Sequence, residues 1–171
     1  MVGLVGAPIN DVLSETDKNT RGIGIKPGTV VTDSNGSIYT CVKIVSGQNI
    51  VNGNVVFWDG SYNAQVVASG QAAISGVANW QGMGVAVCSI TASTSQFIFA
   101  QVFGQGNVRV TDTTASNLPG HLLIPGSTPG EMRGGAPATA STYISGIALT
   151  ATVSVATLGA CFINFPRFVA A

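Results

Sequence analysis

The sequence predicts an all-β fold, a small β-barrel or sandwich with a weak internal duplication and an extended N-terminal arm. Three observations carry this. Turn signals punctuate short β-prone runs at the spacing of a sandwich or barrel. Gly, Thr, Val and Ser, all weak helix formers, fill most windows. One strand grammar also occurs twice, in GMGVAVCSITASTSQFIFAQVFG (82–104) and SGIALTATVSVATLGACFINFPRF (145–168). Each copy runs glycine, apolar strand, Ser/Thr/Ala-rich turn, and a second strand ending in phenylalanine. At constant offset, Gly84 falls on Gly146, Val85 on Ile147, Ala86 on Ala148, Val87 on Leu149 and Phe103 on Phe165.

The elements follow in chain order. Residues 1–27 form the arm and 28–171 the β-rich domain. The arm lacks a clear helical or alternating period, apart from a short helical turn around Ile9 to Glu15. Six of the chain's charged residues, which number seven acidic and seven basic, lie here: Asp11, Glu15, Asp17, Lys18, Arg21 and Lys26. Asp33-Ser34-Asn35-Gly36 separates strands at 28–31 and 38–45, because an Asn-Gly pair supplies the positive φ of a tight hairpin. Further strands are predicted at 54–58, 62–68, 83–90, 96–103, 107–111, 121–125, 143–150 and 160–165.

Composition excludes several functions. Charged residues make up 8% of the chain against 46% apolar, and the net charge is zero. A neutral chain lacks the basic footprint of a nucleic-acid binder. The surface is therefore expected to be solubilised by uncharged polar groups or covered by a partner. The charge-free stretch between Arg133 and Arg167 is rich in Thr, Ser and Gly and alternates partly, which fits hairpins and not a membrane helix. The start MVGLVGAP has no positive residue before a short apolar run, so no signal peptide is expected.

Candidate chemistry fails one motif at a time. Cys41, Cys88 and Cys161 each sit in an apolar strand context and read as reduced core residues in a reducing compartment. With His121 the only histidine and no Cys-x-x-Cys, neither a zinc site nor any cofactor is expected. In GIGIKPG (22–28) the third glycine comes one residue late for a dinucleotide loop, and no strand-to-helix context surrounds it. A triad of His121, Asp112 and a serine lacks Gly-x-Ser-x-Gly. Of the carboxylates beyond the arm, Asp33, Asp59, Asp112 and Glu131, the first two stand in turns that favour aspartate on structural grounds. Asn35-Gly36-Ser37 matches a glycosylation acceptor, but the hairpin already accounts for it. No enzymatic activity is expected.

Two sets of residues remain as candidate contacts. Trp58, Tyr62 and Trp80, in WDGSYN and NWQG, either stack on sugars or a partner, or fill the core. In the arm, Leu4, Val5, Ile9 and Leu13 are apolar anchors, and Asp17, Lys18 and Arg21 would set register at an interface rim.

The run VTDSNGSIYTCVKIVSGQNIVNGNVVFWDGSYNAQVV resembles the opening of small β-rich virion proteins of tailed bacteriophages. QGMGVAVCSITASTSQFIFAQVFGQGNVRV, LPGHLLIPGSTPGEM and ISGIALTATV resemble their later segments, in the same order, over residues 28–165. The resemblance implies a capsid decoration, or cement, protein. Such a protein would be made in the host cytoplasm, bind the major capsid protein on the outside of the head and stabilise contacts between capsid subunits. Self-association, most simply as a trimer where capsomers meet, follows from the same reading. The alternative is a carbohydrate-binding module of a phage fibre or tailspike, with Trp58, Tyr62 and Trp80 as its stacking platform.

Overall fold

A computed structural model describes residues 9–14, 25–67, 80–91, 96–111, 118–120, 123–134, 147–153 and 157–165. Among these the chain is all-β, with no helix. The strands are β1 (Val30–Thr32), β2 (Ile38–Ile44), β3 (Asn49–Ile50), β4 (Val55–Asp59), β5 (Asn63–Val66) and β6 (Trp80–Ala86). They continue with β7 (Ile90–Thr91), β8 (Gln96–Val110), β9 (Leu123–Pro125), β10 (Met132–Gly134), β11 (Ile147–Leu149) and β12 (Thr157–Asn164).

Five strands close a barrel in the order β2-β5-β4-β6-β8, with β8 returning to β2. The β2–β5 contact is parallel and the other four are antiparallel. Val42, Ile44, Val56, Trp58, Ala64, Ala86, Ile98 and Ala100 fill its interior, together with Ile50 and Ile90 from the small β3–β7 sheet. Two further apolar layers pack outside the barrel. On the β2–β8 side, Tyr39, Cys41, Phe97 and Phe99 meet Val31, Leu13 and Ile25. On the β4–β6 side, Val55, Phe57, Met83 and Val85 meet Val108, Val110, Leu123, Met132, Ile147, Leu149, Cys161 and Ile163.

Strands covered on both faces read as continuous apolar runs without alternation. VVFWD of β4 is buried at its first four positions, and IYTCVKI of β2 at five of seven. Burial of that kind removes roughly 1.5–3 kcal/mol of apolar exposure for each large aliphatic side chain. It also accounts for much of the chain's high apolar and low charged content within the molecule itself.

The sequence duplication is a duplication of pairing. Val85 stands opposite Gln101 and Ala86 opposite Ala100; at the same offset Ile147 stands opposite Ile163 and Ala148 opposite Phe162. Val85 and Ile147 then enter the same apolar layer. Two strands expected at 96–103 and 107–111 are instead one 15-residue strand, β8. Its glycine-rich middle stays in register because Gly104, Gln105 and Gly106 pair with Ile163, Phe162 and Cys161 of β12. The buried Gln101 side chain supports the same stretch, its Nε2 donating to the carbonyls of Phe103 (3.2 Å) and Gln105 (2.8 Å). The short strands β3, β7 and β10 were not anticipated.

The hairpin between β1 and β2 lies where the Asn-Gly pair predicts it. Gly36 has φ +80°, whereas Asn35 is not in the left-handed region, so one positive φ suffices. The Asp33 carboxylate accepts from the amides of Asn35 (2.8 Å) and Ser37 (2.9 Å) and from the Tyr39 hydroxyl (3.1 Å). That acceptor and burial hold the Tyr39 hydroxyl above its ordinary pKa, burial contributing most. Gly36→Ala meets no steric obstacle. Its expected cost is therefore the conformational one alone, about 1–2 kcal/mol, read as a lower urea midpoint with an unchanged slope.

The described part of the arm packs on the core. Leu13 is 1% exposed and Ile25 2%. Leu13 forms an isolated antiparallel bridge with Phe97, its amide donating to the Phe97 carbonyl (2.9 Å) and accepting at its own carbonyl from the Phe97 amide (2.8 Å). The expected helical turn at Ile9 to Glu15 is likewise absent from the described residues, where Ile9 and Asn10 form a turn before the bridge. The reason is the uncovered β2–β8 face: Phe97 and Phe99 need an apolar lid, and Leu13 supplies it.

Candidate interaction surface

The second half of β8 and all of β12 form an antiparallel pair with one face turned outward. Its register sets Phe103 opposite Asn164, Gln105 opposite Phe162, Asn107 opposite Ala160 and Arg109 opposite Leu158. The period-2 pattern of TLGACFIN explains the division. Gly159, Cys161 and Ile163 point into the core, and Leu158, Ala160, Phe162 and Asn164 point out.

Three large apolar side chains stand on this face at 38–41% exposure: Phe103, Phe162 and Leu158. Phe103 and Phe162 meet edge to face, with ring centroids 5.4 Å apart and planes at 80°. This geometry favours aromatic pairs and holds both rings in place. Around them lie the uncharged Gln105, Asn107, Ala160 and Asn164. The single charge in these two outward rows, Arg109, donates through Nε to Glu131 Oε1 at 3.1 Å. At 34% and 17% side-chain exposure, such a pair contributes about 0.2–1 kcal/mol. Its larger effect is to leave the face electrostatically quiet. An apolar centre with an uncharged polar rim is the make-up of a protein-binding patch.

Those sequence-predicted contact residues that are described fall elsewhere. Leu4, Val5, Asp17, Lys18 and Arg21 lie outside the described residues. Ile9 is half-buried against the β2–β8 layer, and Leu13 is spent inside the molecule, so neither is a free anchor. Trp58 is 5% exposed, pointing into the barrel over Gly82 and Gly84 of β6, and cannot stack on a sugar. Tyr62, at φ +61°, packs its ring on Gly28. Trp80 opens β6 opposite Asp59 in the ladder. With Trp58 enclosed, the core reading holds for that residue, and it is removed from the alternative stacking platform. Of the patch residues, the sequence marks Phe103 as the aromatic end of the first repeat, whereas nothing local distinguishes Leu158 or Phe162 as outward-facing.

The remaining candidates for chemistry are structural where they are described. His121 and Asp112 lie outside the described residues. Asp59 accepts from the Ser61 and Asn63 amides (2.8 and 3.0 Å) and from Asn63 Nδ2 (3.0 Å), contacts that lower its carboxyl pKa, the Asn63 side chain foremost. Among the described residues no group of three or more His, Cys, Asp or Glu side chains is arranged to hold a metal ion.

All three cysteines are free thiols and buried. Burial pushes the Cys161 thiol up to about 12, and burial with the nearby Asp11 carboxylate pushes Cys88 to about 11. At pH 8 only about one Cys88 thiol in a thousand is then the reactive thiolate. Labelling of the native protein with a thiol reagent should be slow at every site, with Cys88, at 8% exposure, the first to react. Immediate reaction of all three would contradict these positions.

No protein-family model matches the chain, and comparison with curated proteins finds no significant match.

Proposed function

We propose that this chain is a structural protein of a phage particle, a decoration or cement protein that docks on the outer capsid surface through the β8–β12 face. Phe103, Phe162 and Leu158 would provide the buried centre of that contact, and Gln105, Asn107 and Asn164 its hydrogen-bonding rim. The order of the phage-like segments supports the class of function. The observation that carries the reading is the outward strand face with its edge-to-face aromatic pair and its single charge neutralised by Glu131. Attachment would also bring several copies together around a capsomer junction, where self-association as a trimer is the natural arrangement.

In this reading attachment rests on the barrel's second layer and not on the arm. Deep burial of Leu13 leaves the described part of the arm bracing its own domain. The sugar-binding alternative loses one of its three stacking residues with the burial of Trp58.

The test is co-sedimentation with heads assembled without this protein. Phe103→Asp combined with Phe162→Asp changes two side chains that meet each other on the exposed face, so circular dichroism should be unaltered. Removing two central anchors should weaken binding by roughly thirtyfold or more. Binding equal to that of the unaltered protein would exclude this face, and binding to no head at all by either protein would exclude the function.

A further inference from the structure

The sequence holds two Asn-Gly pairs, Asn35-Gly36 and Asn52-Gly53, and the fold treats them in opposite ways. An asparagine followed by glycine is chemically unstable because the glycine nitrogen, unshielded by a side chain, attacks the asparagine Cγ. The reaction needs that nitrogen free of strong hydrogen bonding and the backbone free to rotate.

Gly53 meets neither condition. Its amide donates to the Ala86 carbonyl at 2.8 Å and its carbonyl accepts from the Arg109 amide at 2.8 Å. Leu158 and Arg109 close over it, and the Asn52 amide is held by Ser89 Oγ at 2.9 Å. Gly36 meets both. It is exposed at a hairpin tip, has open space around its Cα, and its amide makes only a long 3.2 Å contact with the Asp33 carbonyl.

We propose that Asn35 is a site of selective spontaneous deamidation in the folded protein and that Asn52 is protected by the fold. The Gly36 nitrogen gives up its proton and forms a bond to Asn35 Cγ, the Cγ–Nδ2 bond breaks, and the amide nitrogen leaves with that proton as ammonia, closing a five-membered imide. One water then opens the ring at either carbonyl, giving aspartate or isoaspartate at that position, so water is the sole co-reactant. Either product places a second negative charge beside Asp33 on a chain of zero net charge. The isoaspartate form also inserts a methylene into the main chain of the loop that sets the β1–β2 register, and Val31 of β1 packs in the same layer as Leu13. The reaction would therefore loosen the layer that seats the N-terminal segment as the protein ages.

The experiment incubates the folded chain in mildly alkaline buffer and follows each tryptic peptide by mass, with enzymatic methylation to detect isoaspartate. A sample unfolded in urea serves as reference. In the native protein Asn35 should react more than roughly tenfold faster than Asn52, because the latter must await local opening of bonded, buried backbone. In urea the two rates should converge. Gly36→Ala should slow the reaction at Asn35 by hindering the attacking nitrogen. Native rates at Asn52 equal to or above those at Asn35 would overturn the proposal. So would an Asn35 left intact while the urea-unfolded chain reacts at both positions.

Discussion

Trp58→Ala should cost about 3–5 kcal/mol of stability, the range for emptying a large aromatic site in a packed core. Typical domains have only about 5–15 kcal/mol in total. The indole occupies the barrel interior with Val56, Ile98 and Ala100, and β6 makes room for it by presenting Gly82 opposite Trp58 in the ladder. A Cβ built on Gly82 would sit 2.5 Å from Trp58 Cε2 and 2.6 Å from Cζ2, and one on Gly84 3.3 Å from Cη2. Gly82→Ala should therefore also destabilise, by about 1–3 kcal/mol of overpacking. Urea unfolding followed by tryptophan fluorescence and by circular dichroism measures both variants. Losses under 1 kcal/mol in each would mean that the ring does not fill the barrel.

Leu13→Ala should lose about 2–5 kcal/mol, and deletion of residues 1–26 should lose more. The deletion removes Leu13 and Ile25 together and leaves the amide and carbonyl of Phe97 without their partners. Sequence reasoning predicts the reverse, a deletion that spares the fold, because no periodicity ties the arm to the core. One residue in a two-bond bridge produces no periodicity, yet its side chain is 1% exposed. Equilibrium unfolding of the truncated chain decides between the two. A midpoint matching full length would return the arm to the role of a separate tail. A large drop would show that the N-terminal segment is part of the domain, whatever residues 1–8 and 15–24 contact.

Local signals were legible wherever one short stretch of chain determines the outcome. Asp33 through Gly36 specified a hairpin because aspartate captures the turn amides and glycine takes the positive φ. The repeated grammar specified two antiparallel pairs because glycine, apolar run and aromatic end recur at one offset. Cysteine contexts specified buried thiols because Cys41, Cys88 and Cys161 each lie within an apolar, β-prone run. By contrast, Trp58 and Phe162 are both aromatic, strand-borne and near polar residues. No local feature says that the first fills a barrel and the second stands at its surface.

By itself the sequence determined an all-β chain, the place of its first hairpin, its repeated strand pairs and its uncharged character, since each depends on backbone preference or composition over a few neighbouring residues. Only the tertiary structure decided that β2 returns to β8 to close the barrel, that β8 runs unbroken from barrel to outer layer, and that Leu13 belongs to the core. It alone decided as well which aromatics face outward. The physical reason is that burial is set by what packs on each face of a strand. Where both faces of β2 and β4 are covered, alternation disappears, and partners distant in sequence determine which side chains remain exposed.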